Sequence, residues 1–356
     1  MIRILDFDAL SPEAFLNRDI QAEEDVSAAV DTVIAEVRRN GDAALRNFTR
    51  RFDGAELDML RVTEAEFDDA KRSVSRCFQE TLEEAAENIR RFHERQRHND
   101  FIIADCPGIV MGQRWMPVEK VGVCVPRSPE AFPSTVLMNV IPAKIAGVGE
   151  IVVVTPPVRD GSVSPEALTA AQLAGADAVF KIGGAQAVAA LAYGTESVPK
   201  VDKIVGPGGI FVATAKRKVF GQVAIDMIAG PSEILVLSDG KSNPRWVAAD
   251  ILSQAEHDVL SSSVLVTDSR ELAEAVQAEI EAQLETLPRK SIALRSIEEN
   301  GKIIVTSSLD KAVEAANRIA PEHLELCVDD PFALLPRIQN AGSIFLSRHT
   351  PEAIGE

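Results

Sequence analysis

From Ala22 to Asn40, apolar residues recur at helical spacing in AEEDVSAAVDTVIAEVRRN and the run stops at Gly41, which predicts an amphipathic helix with a glycine stop. A second helix is predicted from Gly41 to Phe52 and a long one from Thr63 to about Arg95, with their charged faces turned to water. Gly108 to Gly112 and Val121 to Val125 are short apolar runs between polar turns, the pattern of strands.

After Pro126 the pattern alternates. Helices around Ser134 to Ala146, Pro165 to Leu173, from Ala185 and from Ile210 are interleaved with strands at Ile151 to Thr155, Ala178 to Ile182 and Lys203 to Val205. A second series has strands at Ile234 to Leu237, Ser263 to Thr267, Ile303 to Thr306, Leu324 to Val328 and Ser343 to Phe345. Alternation of this kind builds parallel sheets covered on both faces, so the fold class is α/β with two parallel-sheet domains and N-terminal helices. The helix-rich stretch from Asn40 to Asp100 is expected to pack on the later sheet. That makes residues 1–118 plus 234–356 an outer domain and 119–233 an inserted one.

The inserted segment ends in a run of glycine turns. Between Lys181 and Glu233 lie Gly183-Gly184, Gly206-Pro207-Gly208-Gly209 and Gly230-Pro231-Ser232, each next to an apolar run. Glycine lets backbone N–H groups approach a ligand that a Cβ would fend off. Such turns also punctuate any α/β protein, and neither GxGxxG nor GxxxxGK[ST] occurs in this segment.

Composition narrows the partners. The chain has 356 residues, 46% of them hydrophobic, and a formal net charge of −17. That charge argues against nucleic acid or an anionic membrane, since phosphate binding rests on clustered Lys and Arg. The four cysteines form no CxxC, so no zinc knuckle or redox pair is indicated. The N-terminus MIRILDFDAL breaks its apolar residues with charges, unlike a signal peptide, and Ile141 to Val154 is too short and too charged to span a bilayer. A cytoplasmic location is expected. His93 and His98 sit among Arg91, Arg95 and Arg97 and suit a basic helix end better than a metal site.

Two pairs of residues could carry chemistry. Gln254 and His257 in SQAEHD are three apart on an expected helix and share a face, where they could ligate a metal or simply bond each other. Glu322 and His323 in APEHLEL combine a carboxylate and an imidazole, the groups suited to acid–base work near neutrality, although adjacent surface residues would look the same.

The motifs GGAQAVAALAYGTESVPKVDKIVGPG, ATAKRKVFG, IDMIAGPSE, ILSQAEHD and APEHLEL, in this order, closely resemble the histidinol dehydrogenase family, and the likeness runs from about Glu23 to the last residue. The resemblance implies two incomplete Rossmann-like, aldehyde-dehydrogenase-like domains. It also implies two successive NAD-dependent oxidations of L-histidinol, through the aldehyde, to L-histidine. Gln254 and His257 match zinc ligands, one zinc being expected per subunit, and Glu356 takes the place of an aspartate ligand. Glu322 matches the base that activates water, and His323 the residue that takes the alcohol proton. Ser232, Gln254, His257, His323 and Glu356 match substrate contacts. Cys124, Gln186 and Gly209 fall at positions of NAD contacts, and the family forms homodimers.

The chain departs from the family pattern in several places. Cys124 stands for a tyrosine, Arg127 and Ser128 for paired glycines, Gly209 for an asparagine, and Phe211 for a tyrosine. Loss of an aromatic platform and an amide is expected to weaken NAD, and Arg127 to offset part of this at the pyrophosphate. The chain stops at Glu356, where the family continues into a tail with a zinc-binding histidine that reaches the other subunit. It is therefore read as a shortened family member. Two alternatives go with this reading: a relative acting on another polar alcohol, such as a sulfonated diol, and a catalytically inactive remnant.

Overall fold

The computed structural model describes residues 1–9, 21–127, 132–228 and 230–355, excluding the side chains of residues 21–25. Ser128 and Glu356 therefore lie outside the described residues. The strands, in chain order, are β1 (Arg3–Asp6), β2 (Phe101–Cys106), β3 (Ile109–Gln113), β4 (Lys120–Cys124), β5 (Glu150–Val154), β6 (Ala178–Phe180) and β7 (Lys203–Val205). They continue with β8 (Ala224–Ile225), β9 (Glu233–Ser238), β10 (Ser262–Thr267), β11 (Lys302–Val305), β12 (His323–Cys327) and β13 (Ser343–Leu346).

The chain divides into two compact units, Met1–Asp19 with Gly230–Glu356, and Ile20–Ala229. In the first, six strands pair in the order β1-β11-β10-β9-β12-β13, every pairing parallel. In the second, five strands pair in the order β6-β5-β4-β7-β8, again all parallel, and β2 and β3 form a separate antiparallel hairpin. The apolar runs of the sequence account for this, because a strand buried on both faces has no polar side to alternate with. In β5, Val152 and Val154 enter one core with helix Gly184–Tyr193, while Ile151 and Val153 enter another with helices Pro133–Ala146 and Pro165–Ala174. Strand β9 divides in the same way, with Ile234 and Val236 on one face and Leu235 and Leu237 on the other.

The N-terminal helices correct the expected division. Helix Gln21–Phe48 packs on helices Gly184–Tyr193 and Ile210–Val219, Glu64–Ser73 on Pro165–Ala174, and Arg76–His93 on Pro133–Ala146. Residues 20–118 thus belong with the five-stranded sheet, where Val30, Val37 and Leu45 complete its core. An apolar stripe states that a helix is covered without stating by what, which is why the sequence reading misassigned it. The long helix expected over Thr63 to Arg95 is two helices, because Val74 is extended and Ser75 caps a new start by accepting from Phe78 N–H. At Gly41 the backbone leaves helical geometry (φ 49°, ψ −130°), so two helices meet there at a kink.

Candidate functional site

Two places in the described residues are equipped to bind or react, one in each unit. In the five-stranded unit a cavity of about 270 Å³ opens at the C-terminal ends of the parallel strands. Cys124 ends β4, Val154 ends β5, and Gly208 and Gly209 follow β7. Since β5 and β7 flank β4 on opposite sides, this is the switch point of the strand order, where open α/β sheets bind ligands.

Missing side chains shape this cavity. Gly183 caps helix Gly184–Tyr193 and Gly209 caps helix Ile210–Val219, so two helix N-termini with free-approach backbones meet the cavity. A Cβ on Gly183 would stand 2.1 Å from Pro156 Cγ, whereas one on Gly209 would meet nothing within 4 Å among the described residues. N-terminal N–H groups and the helix dipole both favour an anion, so the cradle fits a pyrophosphate.

The Gly206 turn is held from behind. Its φ is +100°, and a Cβ there would lie 2.3 Å from the Cys124 carbonyl oxygen. Its N–H donates to Asp226 Oδ2 (2.8 Å), and its carbonyl accepts from Lys216 Nζ (3.0 Å), which also pairs with Asp226. Lys216 is buried, and nothing in the sequence singled it out.

The positions expected to touch NAD fare differently. Cys124 and Gly209 line the cavity. Gln186 is buried in its helix and is not among the lining residues, with its Oε1 turned toward Gly184. Arg127 lines the rim, but its Nη1 donates to the Pro157 carbonyl and lies 3.5 Å from Asp53 Oδ1. Asp53 is in turn raised above the usual carboxylate range, because burial outweighs the attraction of Arg127. The Cys124 thiol is pushed up to about 12 by burial, so it forms an apolar wall and supplies no thiolate.

The second place lies in the six-stranded unit, where helix Pro244–Ala255 covers one face of the sheet. Asn243 caps this helix by accepting from Arg245 N–H, and Pro244 occupies its first turn. Gln254, in the last turn, is 0% exposed. In β12 the period of two puts His323, Glu325 and Cys327 on one face and Leu324 and Leu326 on the other, where the leucines join a separate core. His323 meets Gln254, with its Nδ1 3.2 Å from Gln254 Oε1 and its ring 6.1 Å from that of Phe345.

Gln254 Nε2 is buried and has no partner among the described residues. An amide that spends one atom on an imidazole and leaves the other buried and unbonded is set up for something further. Its carbonyl oxygen has two lone pairs, so it can accept from the imidazole with one and offer the other to a metal. His257 is exposed just beyond the helix end, its N–H donating to the Gln254 carbonyl (3.2 Å). The pair thus offers one oxygen and one imidazole nitrogen, a fit for part of a zinc shell. No cluster of three or more His, Cys, Asp or Glu donors occurs among the described residues. The third expected ligand, Glu356, lies outside them.

Glu322 precedes β12 and accepts from Glu233 N–H at 3.2 Å, which brings it beside Ser232 on the neighbouring chain segment. The Ser232 carbonyl accepts from Ser262 N–H (3.0 Å), which fixes this segment to β10. The structure therefore brings Glu322 to the Ser232 segment and His323 to Gln254.

Three acids, Glu325 and Glu352 buried and Asp250 half-buried, went unnoticed in the sequence. Asp250 lies one helical turn before Gln254, Glu325 two residues after His323, and Glu352 in the turn Glu352–Ile354. Glu325 is pushed up to about 8 by burial and by the charge of Asp250, to which it is hydrogen-bonded. Burial also raises Asp250, to about 6. The spacings of four on a helix and two on a strand were the available signal.

The family model described as histidinol dehydrogenase matches residues 16–356. The histidinol dehydrogenase of Geobacter metallireducens is 52% identical, over 100% of this chain and 82% of its own length. That of Halalkalibacterium halodurans is 51% identical, over 96% and 81%. The crystal structure of histidinol dehydrogenase from Elizabethkingia anophelis superimposes with a TM-score of 0.96 at 37% identity, covering 99% of this chain and 82% of that one.

Proposed function

This chain belongs to the histidinol dehydrogenase family, and on that footing we propose that it oxidises L-histidinol to L-histidine, through the aldehyde, in two NAD-dependent steps. The observation that carries the site assignment is the meeting of His323 with a buried Gln254 amide that keeps one atom unpartnered.

In this reading zinc, when bound, holds and orients the amino alcohol, and NAD, when bound, accepts a hydride in each step. Gln254 and His257 would hold the metal, with Glu356 as a further ligand. Cys124 and Gly209 would lie against the dinucleotide, whose pyrophosphate suits the two glycine-started helices. Gln186 would reach the cofactor only after turning its side chain. Ser232 is assigned to substrate contact.

The two protons go to different residues. His323, whose ring is anchored on its Nδ1 side, takes the hydroxyl proton of the alcohol with its other nitrogen in this reading. Glu322 takes a proton from water, and the oxygen so activated adds to the aldehyde carbonyl. The resulting hydrate loses the second hydride and leaves as the carboxylate. No cysteine is required, in keeping with the protonated state that burial imposes on Cys124.

A homodimer is part of the proposal. It is supported by the β2–β3 hairpin, every residue of which is exposed, including Ile102 (77%) and Val110 (73%). A cytoplasmic setting is proposed as well. No helix among the described residues is long and apolar enough to cross a membrane.

The test is the yield of NADH from limiting L-histidinol in the presence of zinc. Two molecules of NADH per L-histidinol are expected. NADH from another polar alcohol but none from L-histidinol would move the assignment to that substrate. No NADH from either would leave a binding remnant.

A further inference from the structure

Beside His323 stands a carboxylate to which the mechanism above gives no part. Glu352 is 3% exposed, and its Oε1 lies 3.9 Å from His323 Nδ1. Its Oε2 lies 3.2 Å from the hydroxyl of Ser253, the chain neighbour of Gln254.

The position of this carboxylate is fixed through its backbone. The Glu352 N–H donates to Glu325 Oε1 at 2.8 Å, and Glu325 is itself wholly buried. The segment leading to it is clamped by Arg348, which donates to Ser242 Oγ, the Cys327 carbonyl, Asp239 and Asp329 at 2.6 to 2.8 Å. Between clamp and strand, Ser347 takes φ 128°, a conformation held only where the surroundings impose it. The surroundings thus set where Glu352 points.

We propose that Glu352 is a positioning residue for His323: with Gln254, its carboxylate keeps the ring proton on Nδ1, so that Nε2 is the nitrogen presented to the substrate hydroxyl. This deepens the reading of the site given above and rests on it. The physical reason is the sign of the charges. A carboxylate facing a bare Nδ1 opposes lone pair to lone pair, whereas facing Nδ1–H it attracts the ring and attracts it more once the imidazole has taken the substrate proton. The His323 side chain is only 14% exposed, so little water intervenes to screen this. An acid that orients a catalytic imidazole in this way acts through it without touching substrate.

The competing view is that Glu352 merely anchors its turn. Glu352→Gln separates the two, since it keeps the backbone bond to Glu325 and an oxygen toward Ser253 while removing the charge. The experiment combines steady-state kinetics with ¹⁵N spectra of histidine-labelled, metal-free protein, in which His323 is one of five histidines. In the wild type, His323 is expected as the Nδ1–H tautomer, and in Glu352→Gln as a mixture. In the same variant kcat should fall at least about tenfold, with KM for L-histidinol within about twofold, and Glu352→Asp should recover part of the loss. An unchanged tautomer with unchanged kcat in Glu352→Gln overturns the inference. So does an Nε2–H tautomer in the wild type, which decides the matter even if the variant fails to fold. If the wild type shows the Nδ1–H tautomer but does not oxidise L-histidinol, the proposed function fails while the positioning stands.

Discussion

The two units solve the same problem of making a site on a parallel sheet in opposite ways. The five-stranded unit removes side chains. Its cavity is lined by glycines at two helix starts and backed by a lysine and an aspartate that hold a turn without entering the cavity. The six-stranded unit withdraws side chains that solvent would normally keep, an amide and two acids fully and an imidazole and a third acid in part. A backbone cradle suits a large ligand with repeating polar groups, while chemistry on one alcohol needs titratable groups at fixed places. The contrast predicts that substitutions in the first region act through shape and those in the second through charge.

The largest effect should come from the second region. His323→Ala is expected to reduce turnover by about 10²- to 10⁴-fold, the range for loss of a general base, with the melting temperature changed by only a few degrees. Steady-state kinetics and calorimetry on the same preparation check this. A variant that melts far lower would make His323 structural.

Next comes Gly206→Ala. The new Cβ would meet the Cys124 carbonyl oxygen at 2.3 Å and would require φ +100°, so a loss of about 3 kcal/mol or more of folding stability is expected. Urea unfolding measures it. Stability within about 0.5 kcal/mol of the wild type would show that the turn is not tightly held.

The carboxyl pair provides a pH test. Folding raises Glu325 from 4.5 to about 8, so the folded state holds this proton more tightly than the unfolded chain does. The stability so gained is complete below pH 4.5 and is lost as pH rises toward about 8. Glu325→Gln can donate to Asp250 and accept from Glu352 N–H at any pH, and should therefore flatten the decline. Melting temperatures across that window, for wild type and variant, should diverge as pH rises, and parallel curves would contradict the assignment.

The smallest effect on stability is expected at Gly209. Alanine there meets nothing within 4 Å among the described residues at an ordinary φ of −63°, so unfolding should shift by only a few tenths of a kcal/mol. The KM for NAD should instead fall in Gly209→Asn, which restores the amide that the family pattern places here. An unchanged KM would place the dinucleotide elsewhere.

Much of this architecture was legible in the sequence, for a physical reason. Doubly buried strands such as Ile151–Val154 and Ile234–Leu237 must read as apolar runs, and the alternation with helices left few other topologies open. The glycine turns were visible too, because their chemistry is local. What stayed hidden depends on three-dimensional neighbours. The partner of helix Gln21–Phe48 was misjudged, since its apolar stripe fits either sheet. Strand β1 went unnoticed at the sheet edge beside β11, where Arg3 to Asp6 pair with Lys302 to Val305. Glu325 and Glu352 read as ordinary polar positions, because burial of an acid becomes visible only when the strand face and the C-terminal turn are brought together. Gln254, by contrast, stood out in the sequence only through its motif, and its unpartnered amide atom gives that motif a physical basis.

The division of labour between Glu322 and His323 is the central claim, and one comparison tests it most directly. For Glu322→Gln and the wild type, the oxidation of L-histidinal by NAD is measured beside its reduction by NADH. Water is consumed only in the oxidation. The account predicts that the variant loses about 10²-fold or more in the oxidation and stays within about tenfold in the reduction. Equal losses in both directions would contradict it.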